Sequence, residues 1–341
     1  MRLSEFEFPF DSKLIADRPI EPRDQARLLI VSRNDGTLAH HRVADLPSLL
    51  EPGDLLIVND TKVLPVRLTG RKRPGGEARN LLLVRPDELG LADRWVVLCK
   101  GIKIGQTVKL DNGAAGTAVE RCADGMVMQF SCPVPVLMEK VGRMPLPPYI
   151  KREPTDQDNI WYQTIFARKA GSIAAPTAGL HFTEPLLAAL RRRGVGLATV
   201  TLHVGPATFR PVRTAIVENH RLGPEWADLS AETAALINAT KRRGGRIVAV
   251  GTTVVRTIES AALPGGDGMV QPLTGDIELF ITPGYRFRVV DGLMTNFHLP
   301  KTTVLMLVAA FAGLERLRAA YLEAIRQRYR FYSYGDAMLI L

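Results

Sequence analysis

Cysteine is scarce: Cys99, Cys122 and Cys132 are the three in a chain of 341 residues, and no two stand in a C-x-x-C spacing. An odd number at uneven intervals excludes a disulfide framework and a cysteine zinc site, and it fits a reducing compartment. No apolar stretch is long enough to span a bilayer, and the opening segment Met1–Pro9 carries Glu5 and Glu7 instead of a signal-peptide core. A cytoplasmic location with no membrane association is therefore expected. Several catalytic signatures are missing as well. No G-x-G-x-x-G opens a helix after a strand, and Walker A, H-E-x-x-H and G-x-S-x-G sequences do not occur, so dinucleotide, nucleotide-hydrolase, zincin and α/β-hydrolase sites lose their main support.

The composition present is that of an ordinary globular protein, with 46% hydrophobic and 23% charged residues. Lys and Arg number 44 against 35 Asp and Glu, a formal charge of +9. Such an excess fits a polyanionic partner but equally fits a basic enzyme with no such partner, because net charge does not say whether the cations share a face.

The length favours two domains, or one domain carrying an insertion. Leu55–Val58 reads as a buried strand after the turn Pro52-Gly53-Asp54, and it runs into the polar Asn59-Asp60-Thr61. From about residue 66 to 150 short β-rich pieces follow one another, separated by turn signals such as Arg73-Pro74-Gly75-Gly76 and Asp111-Asn112-Gly113. Closely spaced strands without helices predict a small barrel or sandwich. The proline-dense Met144–Ile150 closes this region. Beyond it helices and strands alternate, with helices near 184–193, 230–243, 254–262, 302–312 and 315–328 and strands near 196–203 and 246–251. The expected architecture is a mixed α/β class, with a discontinuous main domain of residues 1–65 and 151–341 and an inserted β domain of residues 66–150.

Three segments set small, hydroxyl and imidazole residues beside strand ends or helix starts. The first, Ala174–Thr183, ends on Thr183, a helix cap before Glu184-Pro185, and its Thr177, Ala178 and Gly179 allow a ligand close to the backbone, with His181 beside them. In the second, Gly251, Thr252 and Thr253 lead from a strand into a helix, where free N–H groups suit a carboxylate or a ribose. Arg256 and Glu259 follow at a spacing that by itself predicts a surface ion pair. The third, Asp291–Lys301, places Thr295, Asn296 and His298 between a strand and an apolar helix, and extended geometry would put Asn296 and His298 on one face. His203 and His220 carry no more weight than structural histidines, and His40 and His41 read as surface residues in an unpatterned stretch.

Taken together, these segments resemble the S-adenosylmethionine:tRNA ribosyltransferase-isomerase family over nearly the whole chain. The residues that carry the resemblance are Arg18-Pro19 with Glu21-Pro22-Arg23-Asp24, Val58 through Thr61, Ala175 through Thr183 and Thr201 through Gly205. Thr208-Phe209-Arg210-Pro211-Val212, Gly251-Thr252-Thr253, Pro283-Gly284-Tyr285, Thr295 through Pro300, and Tyr329 through Phe331 with Ser333 through Met338 continue it. The pattern departs at Pro206-Ala207, where the family usually has Leu-Gly or Ala-Gly, and at Leu222-Gly223-Pro224-Glu225, where it usually has Met-His-Ser-Glu.

The resemblance implies a discontinuous α/β domain interrupted by a β-barrel. It also implies transfer and isomerisation of the ribosyl moiety of S-adenosylmethionine onto 7-aminomethyl-7-deazaguanine at the wobble position of tRNA, with loss of adenine and methionine. No cofactor beyond this co-substrate and no metal is implied, and a monomer is expected. The sulfonium acidifies the ribose C5′ hydrogens, so the site needs a base, an acid for adenine and a ribose clamp. His181, His203 and His298 are the imidazole candidates, and Glu225 and Glu259 the carboxylate ones. Arg71, Lys72, Arg73 and Lys151 are candidate tRNA contacts. A small-nucleoside enzyme, a diverged paralogue and a non-catalytic tRNA-binding relative are the alternatives.

Overall fold

In the computed structural model the described residues are 1–205, 212, 214–266 and 268–341, so the resemblance block at 208–211 and the departure at Pro206-Ala207 lie outside them. The chain divides into two compact units. One comprises Met1–Lys62, Pro148–Arg152 and Trp161–Leu341, and the other Val63–Pro147 and Glu153–Ile160.

The first unit is built on a nine-stranded sheet. In spatial order its strands are Leu273–Ile277, Glu225–Leu229, Gly196–Leu202, Leu55–Asn59, Ile247–Val250, Gly292–Asn296, Ala337–Ile340, Arg27–Val31 and Leu38–Arg42. The four from Gly196–Leu202 to Gly292–Asn296 run parallel, and the strands on either side of this block run against it. Leu55–Asn59, Ile247–Val250 and Gly292–Asn296 are buried at every position, the pattern of strands covered on both faces.

Alternation along these strands sends successive side chains into two cores. Ile57, Ala249 and Leu293 join one with Ile237, Val254, Met306 and Leu317 from the helices Ala231–Arg242, Thr252–Ser260, Thr303–Ala312 and Leu314–Arg326. Leu56, Val248 and Met294 join the other with Leu186 and Leu190 of the helix Glu184–Arg192. Three of these helices start on the hydroxyl caps that their sequences announce. Thr183, Ser230 and Thr302 accept from the backbone N–H groups of Leu186, Thr233 and Leu305 at 3.3, 3.1 and 3.3 Å. Thr183 also donates to Asp24 at 2.6 Å, which fixes the turn at Arg23–Gln25 against the Thr177–His181 segment.

The second unit is a closed six-stranded antiparallel barrel in the order Gly125–Phe130, Arg94–Leu98, Ala78–Pro86, Arg67–Arg73, Thr107–Leu110, Ala115–Cys122. Leu68, Leu81, Leu83, Val97, Val108 and Met128 are buried within it. Strand alternation puts Arg71 and Arg73 on the exposed side of their strand, whereas Lys72 shares the parity of buried Leu68 and Gly70 and is only partly exposed.

Candidate active site

The parallel block delivers its loops to one edge of the sheet. Asn59-Asp60-Thr61, His203, Gly251 and Phe297-His298 all follow the carboxyl ends of their strands, the position at which open α/β sheets bind ligands. Gly251 makes the turn from strand to helix at φ 96°, a conformation that glycine adopts without steric cost. Asn59 ties these ends together. Its Nδ2 donates to the Leu202 carbonyl at 3.0 Å and to Thr253 Oγ1 at 3.2 Å, and its Oδ1 accepts from the N–H groups of Thr61 and Leu202 at 3.0 and 3.2 Å. Asp60 Oδ1 accepts from Thr201 Oγ1 at 2.6 Å, so both residues are structural members of the edge.

A cavity of about 270 Å³ opens at this edge, within the first unit. Among the sequence-predicted residues, Thr177, Ala178, Gly251, Thr252, Thr253, Arg256, Thr295, Asn296 and His298 line it. Gly179 does not, because it turns inward against Thr164 in the Thr177–His181 turn. Sequence reasoning missed Tyr149, Tyr332 and Ser333, which also line the wall. Tyr149 hydroxyl lies 2.6 Å from Ser333 Oγ, and the Tyr149 and Tyr332 rings are 4.8 Å apart. Proline density marked the stretch around Tyr149 as a boundary, which hid its aromatic contribution. Tyr332 sits at φ 69°, an uncommon conformation for a non-glycine residue; its N–H donates to the Phe297 carbonyl at 3.1 Å and its carbonyl accepts from the Gly335 N–H at 3.0 Å.

The three candidate imidazoles occupy different settings. His298 lines the cavity; its Nε2 lies 2.7 Å from Thr295 Oγ1, and its backbone N–H donates to the Tyr321 hydroxyl at 2.7 Å. Burial depresses its pKa to about 4, so the ring is neutral at physiological pH. His181 stands behind the wall. Burial, reinforced by the positive charges of Arg23 and Arg330, brings it down to about 4, against the opposing pull of a hydrogen bond with the Arg23 backbone. Its Nε2 meets Asn296 Nδ2 at 3.3 Å, and the same Nδ2 donates to the Tyr332 carbonyl at 3.0 Å. A carbonyl only accepts, so the amide orientation is determined: Nδ2 faces Tyr332 and Oδ1 is left buried without a partner among the described residues. His203 lies outside the cavity wall, with its Nδ1 2.8 Å from Thr61 Oγ1 and its ring stacked on Trp226 at 5.0 Å. Gly171 packs against that ring so closely that a Cβ there would come within 2.6 Å of Nε2. Burial lowers the His203 pKa too.

The carboxylate candidates are both buried and both engaged. Glu225 Oε1 accepts from the Gly205 N–H at 2.9 Å, and its Oε2 accepts from Arg256 Nη1. Arg256 Nε donates to the Leu279 carbonyl at 3.0 Å, while Nη2 is buried with no partner among the described residues. The surface pair expected between Arg256 and Glu259 is absent: Glu259 is fully buried and turns to the other side of its helix. There it accepts from the N–H groups of Val289 and Val290 at 2.9 and 3.0 Å, from Arg288 N–H at 3.0 Å and from the Tyr285 hydroxyl at 3.1 Å. It fastens the 285–290 segment and does not line the cavity.

The remaining histidines are placed simply. His40 is exposed on an edge strand, where its Nδ1 lies 2.7 Å from the Tyr329 hydroxyl, and His41 is partly exposed near Asp45. Lys151 is exposed in the first unit, and Arg71 and Arg73 are exposed in the second. Among the described residues no three His, Cys, Asp or Glu side chains gather where they could hold a metal ion, and no helix is long and apolar enough to cross a membrane.

Residues 3–340 match the protein family described as "Queuosine biosynthesis protein". The S-adenosylmethionine:tRNA ribosyltransferase-isomerase of Acidiphilium cryptum is 53% identical over 353 residues, covering 100% of this chain and 99% of that protein. That of Pelobacter propionicus is 49% identical over 346 residues and covers 100% of both. The crystal structure of S-adenosylmethionine tRNA ribosyltransferase from Thermotoga maritima aligns with a TM-score of 0.57 at 35% identity, covering 99% of this chain and 100% of that one.

Proposed function

The chain belongs to the queuosine biosynthesis protein family, and on that footing we propose that it is an S-adenosylmethionine:tRNA ribosyltransferase-isomerase. It transfers the ribosyl moiety of S-adenosylmethionine to 7-aminomethyl-7-deazaguanine at the wobble position of tRNA and isomerises it, giving epoxyqueuosine and releasing adenine and methionine. Identity near one half over the full length of such relatives disfavours a small-nucleoside enzyme, a diverged paralogue and a non-catalytic binder. The observation that carries the reading is the cavity at the carboxyl ends of the parallel strands, lined by hydroxyls, an amide, an imidazole and one buried guanidinium.

The chemistry follows from the donor. The sulfonium withdraws electrons from C5′, and a base that removes a C5′ proton gives a neutral ylide. His298 is the base in this reading, because it is the one candidate imidazole in the wall and is unprotonated at neutral pH. A low pKa weakens a base in water, but here the proton carries a positive charge from the donor to the imidazole, so a cationic donor becomes a neutral ylide and the net charge of the cavity is unchanged. Adenine departs with a proton, and the Tyr332 phenol, in the cavity wall with its hydroxyl buried and without a partner among the described residues, is the donor to it in this reading. Asn296 Oδ1 offers an acceptor to a hydroxyl or amine of the donor. His181 acts through Asn296 and His203 through the edge of the sheet, as positioning residues.

The same reading assigns roles to the rest of the molecule. The unit of Met1–Lys62, Pro148–Arg152 and Trp161–Leu341 is the catalytic domain, the barrel unit of Val63–Pro147 with Glu153–Ile160 is its insertion, and Arg71, Lys72, Arg73 and Lys151 contact tRNA phosphates. The enzyme works in the cytoplasm as a monomer, with S-adenosylmethionine as co-substrate. The test uses donor labelled either in the ribose or in the methyl group. Ribose label should enter precursor-bearing tRNA while methyl label stays in free methionine, and methyl label in the tRNA would overturn the reading.

A further inference from the structure

The helix Thr252–Ser260 starts at the cavity without a side-chain cap, and Gly251, Thr252 and Thr253 at its start line the wall. An uncapped helix start presents unsatisfied N–H groups and the positive end of the helix dipole. One turn further on, Arg256 lines the same wall although its side chain is only 9% exposed. Glu225 and the Leu279 carbonyl occupy Nη1 and Nε, and Nη2 has no partner among the described residues. A buried charged donor left unspent is rare in native proteins and marks the place where another group completes the site. Among the described residues lining the cavity no Asp, Glu or Lys occurs, and Arg256 is the single permanently charged side chain. Among the described residues Arg256 is therefore the cationic partner the cavity offers to a ligand carboxylate, and a guanidinium edge suits the planar pair of oxygens.

We propose that Arg256 Nη2, with the N–H groups at the start of its helix, binds the α-carboxylate of the methionine portion of S-adenosylmethionine. This rests on the reading of that molecule as the donor. The contact anchors the end of the donor that does not enter the product, and so sets where the sulfonium and C5′ lie relative to His298. Glu225 neutralises part of the guanidinium charge and holds its plane, which leaves Nη2 as the free edge.

Titration calorimetry on the full chain tests this with two ligands, S-adenosylmethionine and its decarboxylated analogue, which lacks only the group in question. The wild type should prefer S-adenosylmethionine by about 10- to 100-fold, the worth of a charge-assisted contact. Arg256→Gln combined with Glu225→Gln removes both charges of the buried pair together and should bring the two affinities to within about threefold of each other. Circular dichroism identifies a variant that is folded. Equal affinities in the wild type, a comparison that needs no variant, overturn the inference while leaving the donor assignment intact, and so does a preference that survives in the folded double variant. Failure of the wild type to bind either ligand overturns the donor assignment together with the inference.

Discussion

Arg256 is bound to Glu225, on a neighbouring strand, and not to Glu259, three residues along its own helix. Both partners are almost completely buried, so removing Glu225 leaves the Arg256 guanidinium buried without its carboxylate. Glu225→Ala should destabilise the protein by about 3–5 kcal/mol in denaturant unfolding. A double-mutant cycle should give substantial coupling between Arg256 and Glu225 and almost none between Arg256 and Glu259. Coupling of the opposite rank would show that the helix spacing, and not the strand, sets the pair.

Replacement of each candidate imidazole should separate its role. His298→Ala should lower kcat by about 10²- to 10⁴-fold with tRNA affinity nearly unchanged, the usual effect of losing a positioned base. His181→Ala and His203→Ala should lower thermal stability and raise KM, since these rings support Asn296 and the Thr61 edge and do not line the cavity. With donor dideuterated at C5′, one deuterium should be lost from the product. Retention of both would contradict deprotonation, whereas normal turnover of His298→Ala with loss of one deuterium would move the base elsewhere.

Acid sensitivity follows from the two deeply depressed imidazoles. His181 and His298 fall from an ordinary value near 6.5 to about 4 in the folded protein. Between those values the unfolded chain binds protons that the native one excludes, so stability is complete above about pH 6.5 and declines as pH falls toward 4. Each group contributes a slope of up to about 1.4 kcal/mol per pH unit in that window. His181→Gln should flatten the decline measured by urea unfolding at a series of pH values, and an unchanged slope would show that the ring is not held neutral.

Much of this arrangement is legible in local sequence, and what is not has a common cause. Leu55–Val58 read as a strand because it is a short apolar run between turns, and Thr183 read as a cap because an acid and a proline follow it; both stand so in the structure. The strands Arg27–Val31 and Leu38–Arg42 went unread. Arg27–Val31 pairs with Ala337–Ile340 at the far end of the chain, as Leu28 opposite Ala337 shows, and no local period encodes that partner; Leu38–Arg42 follows as the antiparallel edge strand on Arg27–Val31. The Arg256 pairing failed for the same reason, since helical spacing carries no information about an adjacent strand. Tyr332 escaped notice because its role comes from the fold's placement of a single ring beside Asn296 and Tyr149.

Association with tRNA should weaken steeply with salt as cations on the protein release counterions from phosphates. Removing one phosphate-binding cation should reduce the log-log slope by about 0.7 to 0.9. Arg71→Ala and Arg73→Ala, on the exposed side of the barrel strand, should each show such a reduction, with Lys72→Ala giving less because of its inward parity. Slopes that do not change in any of the three would remove this strand from the tRNA-binding surface.

The central claim is that the donor is consumed for its ribosyl carbons on tRNA. Purified protein incubated with S-adenosylmethionine and tRNA bearing 7-aminomethyl-7-deazaguanine can be followed by chromatography of the small-molecule products and mass analysis of the digested tRNA. One adenine and one methionine should be released for each nucleoside converted to epoxyqueuosine, and neither when the tRNA lacks the modified base. Appearance of S-adenosylhomocysteine with a methylated nucleoside, or no adenine release from a folded protein that binds both substrates, would contradict it.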